Sequence, residues 1–408
     1  MRFELIKNRF IINPFFWFSF VWIVILAFQL LNFVTIYPQL SDSLLSFFLI
    51  ILTISVLCSI FYDHFFLKKR KVVLINNDKP CKWLTIICVL AFVIEVVYSK
   101  MIPLVEVIQG NTGSYSNFGI PHLTFVIVSL TIALSTISSI KLIYGKEHKI
   151  GNLVSLLLCF TIFGLSYSRG ILILSFLITL VAFLSKYRFG FLSFVGFVFL
   201  AIIGSFLFNI AGNIRSNASW NDSSFIMDIS GFNPQYNFLK DFSWVIVYAE
   251  SPIGNLSYNF ANIPSQNNLL GLFSQLLPDF LSKRLFPQFD SSLYLVQPGL
   301  TVSSMFAGGY KYYGLFGMTL SYLELVVFIF LCAFITRKNT QFFLATTASL
   351  SIISALTFFD NMVTYSGYSF FLIFFVVGRI FVKKDDFAYK AEVLKAYATI
   401  FPEKVLSE

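Results

Sequence analysis

Charged residues are scarce in this sequence, which has 408 residues, 57% of them hydrophobic. Asp, Glu, Lys and Arg make up only 12% of the chain, whereas soluble domains contain roughly 25%. This shortage excludes an ordinary soluble domain. The mean hydropathy is +0.79, and apolar runs of about twenty residues recur along the chain. The sequence therefore predicts an all-α polytopic membrane protein.

The sequence also lacks the motifs of several catalytic classes. It has no Walker motif, no GxGxxG after a strand and no HExxH. The first outer loop holds only Asp42 rather than an acidic pair. These absences argue against ATP chemistry and metal-dependent sugar transfer, so we expect no cofactor and no metal. The net charge of +9 is attributed to cytoplasmic loops, so we expect no nucleic-acid partner.

Cysteine is sparse and scattered. None of the five cysteines falls in the longest polar segment, residues 213–313, so we expect neither a disulfide framework nor a metal cluster. We also expect no cleaved signal peptide, because Met1–Asn13 is followed by an apolar run long enough to span a membrane. The cysteines are Cys58, Cys81, Cys88, Cys159 and Cys332.

About ten transmembrane helices are predicted, with one large extracytoplasmic loop carrying short helices. Lys and Arg set the orientation, because cytoplasmic loops are enriched in both. With the N-terminus inside, 22 of the 29 basic residues are cytoplasmic. The predicted spans are Phe15–Thr35, Leu44–Phe61, Trp83–Tyr98, Leu123–Tyr144, Asn152–Tyr167, Gly170–Leu184, Phe189–Ala211, Gly314–Ile335, Phe342–Phe359 and Tyr368–Val382.

This topology predicts four regions. Residues 1–212 form a membrane domain with seven spans, residues 213–313 a large outer loop, residues 314–382 a membrane domain with three spans, and residues 383–408 a cytoplasmic tail. An ordered loop of about a hundred residues is far longer than ordinary connections and is expected to be functional. Its aromatic content argues against disorder.

Two apolar pieces are predicted within the loop. Phe242–Ala249 is too short to cross a bilayer and is interpreted as buried or re-entrant. Leu269–Leu281 has apolar residues at helical spacing, which predicts an amphipathic helix on the outer membrane surface.

Two arginines are candidates for binding an anion. Arg169 occupies a tight outer turn between two short spans, and Arg215 lies just outside the seventh span. An arginine near the hydrocarbon is costly unless it faces a wet cavity or an anion. Together they could form a bidentate clamp for pyrophosphate. The alternative for each is anchoring to lipid headgroups.

Glu250 and His122 are the candidates for a general base. Burial beside an apolar run would raise the pKa of Glu250 and suit it to that work. His122 is the one histidine predicted outside. The alternatives are a solvated loop residue and a structural histidine. Glu324 and Glu95 lie within predicted spans, where carboxylates often mark a transport pathway.

Several short motifs together resemble the bacterial oligosaccharide repeat-unit polymerases, the Wzy-type O-antigen polymerases. They are Tyr115-Ser116-Asn117-Phe118-Gly119-Ile120-Pro121, Ser168-Arg169-Gly170, Asn213-Ile214-Arg215, Ser251-Pro252-Ile253-Gly254-Asn255-Leu256 and Tyr312-Tyr313-Gly314-Leu315-Phe316-Gly317. Their order covers most of the chain. The architecture is also similar to that of the GT-C-like membrane glycosyltransferases.

The resemblance implies a reaction, a location and partners. The growing glycan would leave undecaprenyl pyrophosphate and join a new lipid-linked repeat unit on the outer face of a bacterial inner membrane. Expected partners are undecaprenyl-pyrophosphate-linked oligosaccharide, membrane lipids and a polysaccharide chain-length regulator. Arg169 and Arg215 would bind pyrophosphate, and Glu250 or His122 would activate the acceptor. The further substrate-binding candidates are Lys311, Tyr310, Tyr248, Trp244 and Arg284.

Two rival functions stay open. A lipid-linked oligosaccharide flippase or other transporter would account for Glu324 and Glu95, although the sequence has no matched halves. The ligase that transfers finished O-antigen to lipid A would share the architecture and the arginines.

Overall fold

The computed structural model describes residues 4–68, 71–72, 79–109, 111, 117–121, 123–145, 148–187, 190–216 and 218–381. Helices dominate this part of the chain. The long helices are α1 Pro14–Leu31, α2 Asp42–Tyr62, α3 Lys79–Ser99, α5 Leu123–Tyr144, α6 Lys149–Leu165, α7 Arg169–Lys186, α8 Phe191–Arg215, α10 Ser243–Asn262, α13 Ala307–Thr336 and α14 Thr340–Leu356. The short helices are α4 Pro103–Ile108, α9 Ser224–Ser230, α11 Leu269–Gln275, α12 Asp279–Leu285, α15 Ser366–Ser369 and α16 Leu372–Phe381.

Irregular helical turns and one small strand pair complete the described secondary structure. Short 3-10 segments cover Phe10–Ile12 and Pro234–Phe242, and a π-helical turn, Asp63–Leu67, extends α2. Two two-residue strands, β1 Glu4–Leu5 and β2 Lys71–Val72, pair antiparallel.

Six helices are long and apolar enough to cross a membrane: α1, α2 with its π-helical extension, α3, α5, α7 and α13. The predicted all-helical membrane architecture is confirmed at this level. The other four predicted spans also coincide with helices, namely α6, α8, α14 and the pair α15–α16. Helices α6, α14 and α16 have 17 residues or fewer, and a perpendicular crossing needs about 20. The count of ten spans therefore stays a prediction.

Helix α14 is the centre of the bundle. It packs against α1, α5, α7, α13 and α16, and every residue from Phe343 to Ala355 is buried. Its sequence is rich in Ala, Ser and Thr, which allow helix backbones to approach closely within a membrane. The short, weakly apolar α14 is therefore an interior helix surrounded by longer neighbours.

The long loop is ordered, and its helices differ from those expected. Phe242–Ala249 falls at the start of the 20-residue helix α10, most of which is buried. The single amphipathic helix predicted over Leu269–Leu281 is instead two short helices, α11 and α12. Pro278 precedes α12 with ψ of 136°, and a proline in this position ends the preceding helical path.

Helix α13 is broken near its start. It begins at Ala307, seven residues before the predicted span boundary at Gly314, and leaves helical geometry at Tyr313 and Gly314. Gly314 has φ 58° and ψ −143°, a conformation that is essentially restricted to glycine. We call residues 307–312 the stub and residues 315–336 the span.

Glycines let the stub and the span touch backbone to backbone across the break. A Cβ built on Gly317 would lie 2.0 Å from the carbonyl oxygen of Gly309, and one on Gly309 would lie 2.5 Å from that of Gly317. The stub's free carbonyl groups are satisfied from the loop, because the amide of Gln266 donates to Lys311 and that of Asn268 donates to Tyr312, both at 2.9 Å. The break is therefore a built feature of the fold.

We predict that Gly314→Ala destabilises the protein by about 1–3 kcal/mol, the usual cost of a residue held in a sparsely populated backbone region. The space at Gly314 is adequate, since the nearest atom to a Cβ there is 3.4 Å away, so the loss would come from the backbone. The measurement is the thermal midpoint of the detergent-purified protein.

Gly204→Ala in α8 is the matched control, because a Cβ at that position meets no atom within 4 Å. We expect its midpoint to equal or exceed that of the wild type, since alanine is favoured in helices. Equal midpoints for the two variants would contradict the break at Gly314.

Candidate functional site

A polar cavity of about 310 Å³ lies where the long loop meets the broken helix. Its walls come from α11 and α12, from residues 287–291, from residues 304–309 around the start of α13, and from residues 360–365 between α14 and α15. The side chains that give it charge or aromatic character are Asp279, Lys283, Phe289, Asp290, Asp360 and Tyr365. These residues are far apart in sequence, and the fold brings them together around one space.

Asp279 ties α12 to the loop before α15. Its carboxylate accepts hydrogen bonds from the Ser366 backbone amide, at 3.0 Å, and from the Ser366 hydroxyl. Its own amide donates to the carbonyl of Thr364 at 2.8 Å. Lys283 lies 3.5 Å from the second carboxylate oxygen. Asp279 is thus occupied by contacts that hold two walls of the cavity together.

Asp290 is occupied by a different set of partners. Lys311 forms an ion pair with its carboxylate and also donates to the carbonyl of Ser292 at 2.9 Å. The Ser292 hydroxyl donates to the carboxylate at 2.6 Å. Burial alone would raise the pKa of Asp290, but the hydrogen bonds and the charge of Lys311 outweigh it and hold the pKa below its usual value. Asp290 is therefore ionised at neutral pH.

Asp360 differs from these two carboxylates. It lines the cavity, and the hydrogen bond described for it comes from the backbone amide of Asn361, at 2.7 Å. Within the described part of the chain it makes no ion pair with a Lys or Arg. Burial raises the pKa of Asp360, and the negative charge of Asp279 raises it further. Asp360 is thus a half-buried carboxyl group that faces polar space.

Asn361 connects the cavity to the membrane helices. Its side-chain amide donates to the carboxylate of Glu324 at 3.0 Å, and its side-chain oxygen accepts from the amide of Val363 at 3.2 Å. Glu324 lies in the span of α13. These bonds fix the backbone at Asn361 and so fix the adjacent Asp360.

The cavity carboxylates do not form a metal centre of an ordinary kind. Among the described residues, no group of three or more His, Cys, Asp and Glu side chains is arranged to hold an ion. Two of the three cavity aspartates are already engaged with lysines. The arrangement is better suited to proton transfer and to contacts with hydroxyl groups.

Arg169 precedes a glycine that contacts the segment forming one cavity wall. It is the first residue of α7, after a tight turn in which Tyr167 has φ 54°. Its guanidinium is exposed and lies 4.7 Å from the centre of the Tyr167 ring. A Cβ on the neighbouring Gly170 would lie 2.1 Å from the Tyr368 hydroxyl, and the ring of Tyr368 packs on that of Tyr365. Because Tyr365 lines the cavity, the turn at Arg169 is connected to the cavity through Tyr368 and Tyr365.

Arg215 ends helix α8 in different surroundings, and its side chain lies outside the described residues. Near it, the indole of Trp244 packs on Gly212 and donates to the side-chain oxygen of Asn213 at 2.7 Å. Tyr248 packs on Trp244 with ring centres 5.9 Å apart. Helix α8 contacts α10, whereas α7 packs on α5 and α14. The pairing of Arg169 with Arg215 stays a prediction.

Glu250 is buried completely, with 0% of its surface exposed. The backbone amides of Val34 and Phe33 approach it and favour its ionised form, but neither makes a hydrogen bond of ordinary geometry. Burial dominates and raises the pKa of Glu250 to about 9. It is therefore protonated at neutral pH and does not line the cavity. This position does not favour its predicted role as the base.

Of the remaining candidate residues, one is buried and structural, one is exposed at the surface, and one lies outside the described residues. Tyr310 is buried, and its hydroxyl donates to the carbonyls of Ile263, at 2.6 Å, and Asn259, at 3.1 Å, so it holds α10 against the stub. Arg284 is exposed on α12, next to Lys283. His122 lies outside the described residues.

The sequence interpretation overlooked Asp279, Asp360 and Asn361. One local signal was available, since Asp360-Asn361 follows an apolar run at the predicted outer end of the ninth span. A carboxylate at that depth often faces a polar space. No local signal links it to Asp279, which lies on another helix.

We predict that the cavity opens to the outer face of the membrane. In a cysteine-free variant, Ser291→Cys should react with an impermeant thiol reagent in intact spheroplasts, because Ser291 is exposed and lines the cavity. Ser230→Cys in the same long loop should react only after unfolding, because Ser230 is 0% exposed. Reaction at residue 291 only after permeabilisation would place the loop inside.

Comparisons of the chain with protein-family models, with curated proteins and with solved structures gave no match.

Proposed function

We propose that the protein is a membrane glycosyltransferase that polymerises lipid-linked oligosaccharide repeat units, and that the reaction occurs in the polar cavity. The observation that carries this proposal is the cavity itself. It combines a carboxyl group unpaired with a cation, one lysine, Lys283, and the aromatic side chains of Phe289 and Tyr365, and it is built directly on a membrane helix. A polar cavity next to a membrane helix suits a substrate that has a polar glycan attached to a lipid carrier.

The dimensions and lining of the cavity suit a sugar. Ligand sites commonly enclose about 300–1,000 Å³, and this cavity, of about 310 Å³, falls at the low end of that range. Phe289 and Tyr365 offer ring faces against which a sugar can pack. Ser291, Thr364 and Asn361 offer groups that exchange hydrogen bonds with hydroxyls. One or two sugar units would fill the space.

The kind of sugar donor follows from the side of the membrane on which the reaction occurs. In the proposed topology both termini are cytoplasmic and residues 213–313 are periplasmic, as the distribution of Lys and Arg predicts. Nucleotide sugars are cytoplasmic, so a transferase facing the periplasm needs a lipid-linked donor. The glycan would leave undecaprenyl pyrophosphate and join the sugar end of a new lipid-linked unit. The sugar–pyrophosphate bond is already activated, so no ATP is needed.

Cationic side chains would receive the leaving pyrophosphate. Arg169 is exposed beside the segment that forms one cavity wall. Lys283 is also exposed and lines the cavity, and a phosphate there would compete with Asp279 for its ammonium group. Fixed cations aimed at developing negative charge can replace a divalent ion in lowering the barrier.

A lipid-linked oligosaccharide transporter is the second candidate. Its support is the break in α13 together with Glu324, because broken helices and intramembrane carboxylates are recurring features of transport sites. Transport would move the substrate without lengthening it, so the two proposals predict different products.

We predict that the purified protein in liposomes lengthens synthetic lipid-linked repeat units in the presence of EDTA, without nucleotide or ion gradient. A gel of the products should show a ladder of multiples. Unextended substrate moved between leaflets would support the transporter, and activity only on addition of lipid A core would support a ligase. Either result would contradict polymerisation.

We also predict that Arg169→Ala and Arg215→Ala each lower chain extension by about 100-fold or more, the usual effect of removing one donor that stabilises developing charge. Arg169→Lys should also be impaired, because an ammonium does not reproduce a planar bidentate contact. Lys240→Ala is the control, since Lys240 is another exposed cation in the same loop. Normal ladders from both alanine variants would reduce these arginines to lipid anchors.

A further inference from the structure

We infer that Asp360 is the general base that removes the proton from the acceptor sugar's hydroxyl group, and that Asn361 and Glu324 hold it in position. This inference rests on the proposed function, since a base is needed only if a glycan is transferred in the cavity. It assigns the base to the segment between α14 and α15 rather than to Glu250 or His122.

The contacts of the three cavity aspartates, and of Glu324 next to Asn361, single out Asp360. Asp279 is bound by Ser366 and Lys283. Asp290 is bound by Lys311 and Ser292. Glu324 accepts a hydrogen bond from the side-chain amide of Asn361. A base must have an oxygen free to meet the substrate, and in the described region only Asp360 faces the cavity without a cation or side-chain donor attached.

The geometry around Asp360 is fixed by hydrogen bonds of the neighbouring residues. Asn361 donates its backbone amide to Asp360 at 2.7 Å and its side-chain amide to Glu324 at 3.0 Å. The carbonyl of Asn361 accepts the Thr364 hydroxyl at 3.2 Å. These bonds restrain the turn on which the carboxylate stands, and a restrained base reacts in a near-attack geometry. Asn361 and Glu324 are therefore positioning residues.

The step balances without any other reactant. The carboxylate of Asp360 takes the proton of the acceptor hydroxyl as its oxygen attacks the anomeric carbon of the donor. A new glycosidic C–O bond forms, and the bond between that carbon and the pyrophosphate oxygen breaks. The electron pair of the broken bond leaves with the lipid pyrophosphate. The proton then passes from Asp360 to solvent through the open side of the cavity.

The surroundings of Asp360 include other charged groups. Asp279 and Lys283 on α12 line the same cavity as Asp360, as does Asp290, which is paired with Lys311, and Glu324 contacts Asn361. Burial raises the pKa of Asp360 first, and the charge of Asp279 adds to it. The base is active when deprotonated, so the rate should rise with pH through that raised pKa.

The test is the rate of ladder formation by purified variants supplied with synthetic lipid-linked repeat units. Asp360→Asn should lower the rate by about 10²–10⁴-fold, the usual contribution of general base catalysis. Asp360→Glu should retain part of the activity, because it keeps a carboxylate. Asp228→Asn is the matched control, since Asp228 is exposed on α9, away from the cavity, and it should behave as the wild type.

A pH profile separates catalysis from a structural role. In Asp279→Asn the carboxamide oxygen can still accept from Ser366, but the negative charge near Asp360 is gone. The acidic limb of the rate profile should therefore move to lower pH. A merely structural Asp279 would lower the rate without moving the limb, which would overturn the assignment.

Different experimental results would contradict the inference and the proposed function. No ladder from the wild type would defeat the proposed function. A wild-type ladder together with normal rates for Asp360→Asn would defeat the inference alone. If Asp360→Asn does not fold, Asp279→Asn still provides the test. A pH–rate profile of Asp279→Asn whose acidic limb is the same as that of the wild type would contradict the inference.

Discussion

The need to satisfy backbone polar groups within an apolar environment governs this structure. An unpaired carbonyl in lipid costs several kcal/mol, and the break at Tyr313–Gly314 leaves such groups at the end of the stub. The loop amides of Gln266 and Asn268 satisfy the carbonyls of Lys311 and Tyr312. The break thus fastens the long loop to α13, whose stub forms part of the cavity wall.

Charge pairing then divides the acidic residues at the cavity by function. Asp279 holds α12 to residues 364–366, and Asp290 holds residues 290–292 to the stub through Lys311. Both contacts close the walls of the same space. Asp360 is left facing that space, on a turn fixed through Asn361 and Glu324. A proposed transferase needs this combination of a rigid wall and an unoccupied carboxylate.

Sequence reasoning located the helices because hydropathy is a local property, and each predicted span coincides with a helix. It did not predict the 20-residue helix α10, since burial on all sides removes the amphipathic period and Pro252 interrupts the pattern. The predicted span Gly314–Ile335 agrees with the span of α13, but the stub before it was not predicted, because Gly314 separates the stub from the span. The cavity was not predictable, since Asp279 and Asp360 meet only through long-range packing. The glycines that let the stub and the span of α13 touch also give no local signal.

The most direct test of the central claim is a structure of the protein in a lipid nanodisc with a lipid-linked repeat unit bound. The account predicts a sugar of the bound molecule in the cavity, with a hydroxyl within hydrogen-bond distance of Asp360 and the pyrophosphate on the side of Arg169 and Lys283. A bound glycan located instead beside Trp244 and Glu250, with the cavity unoccupied, would contradict it.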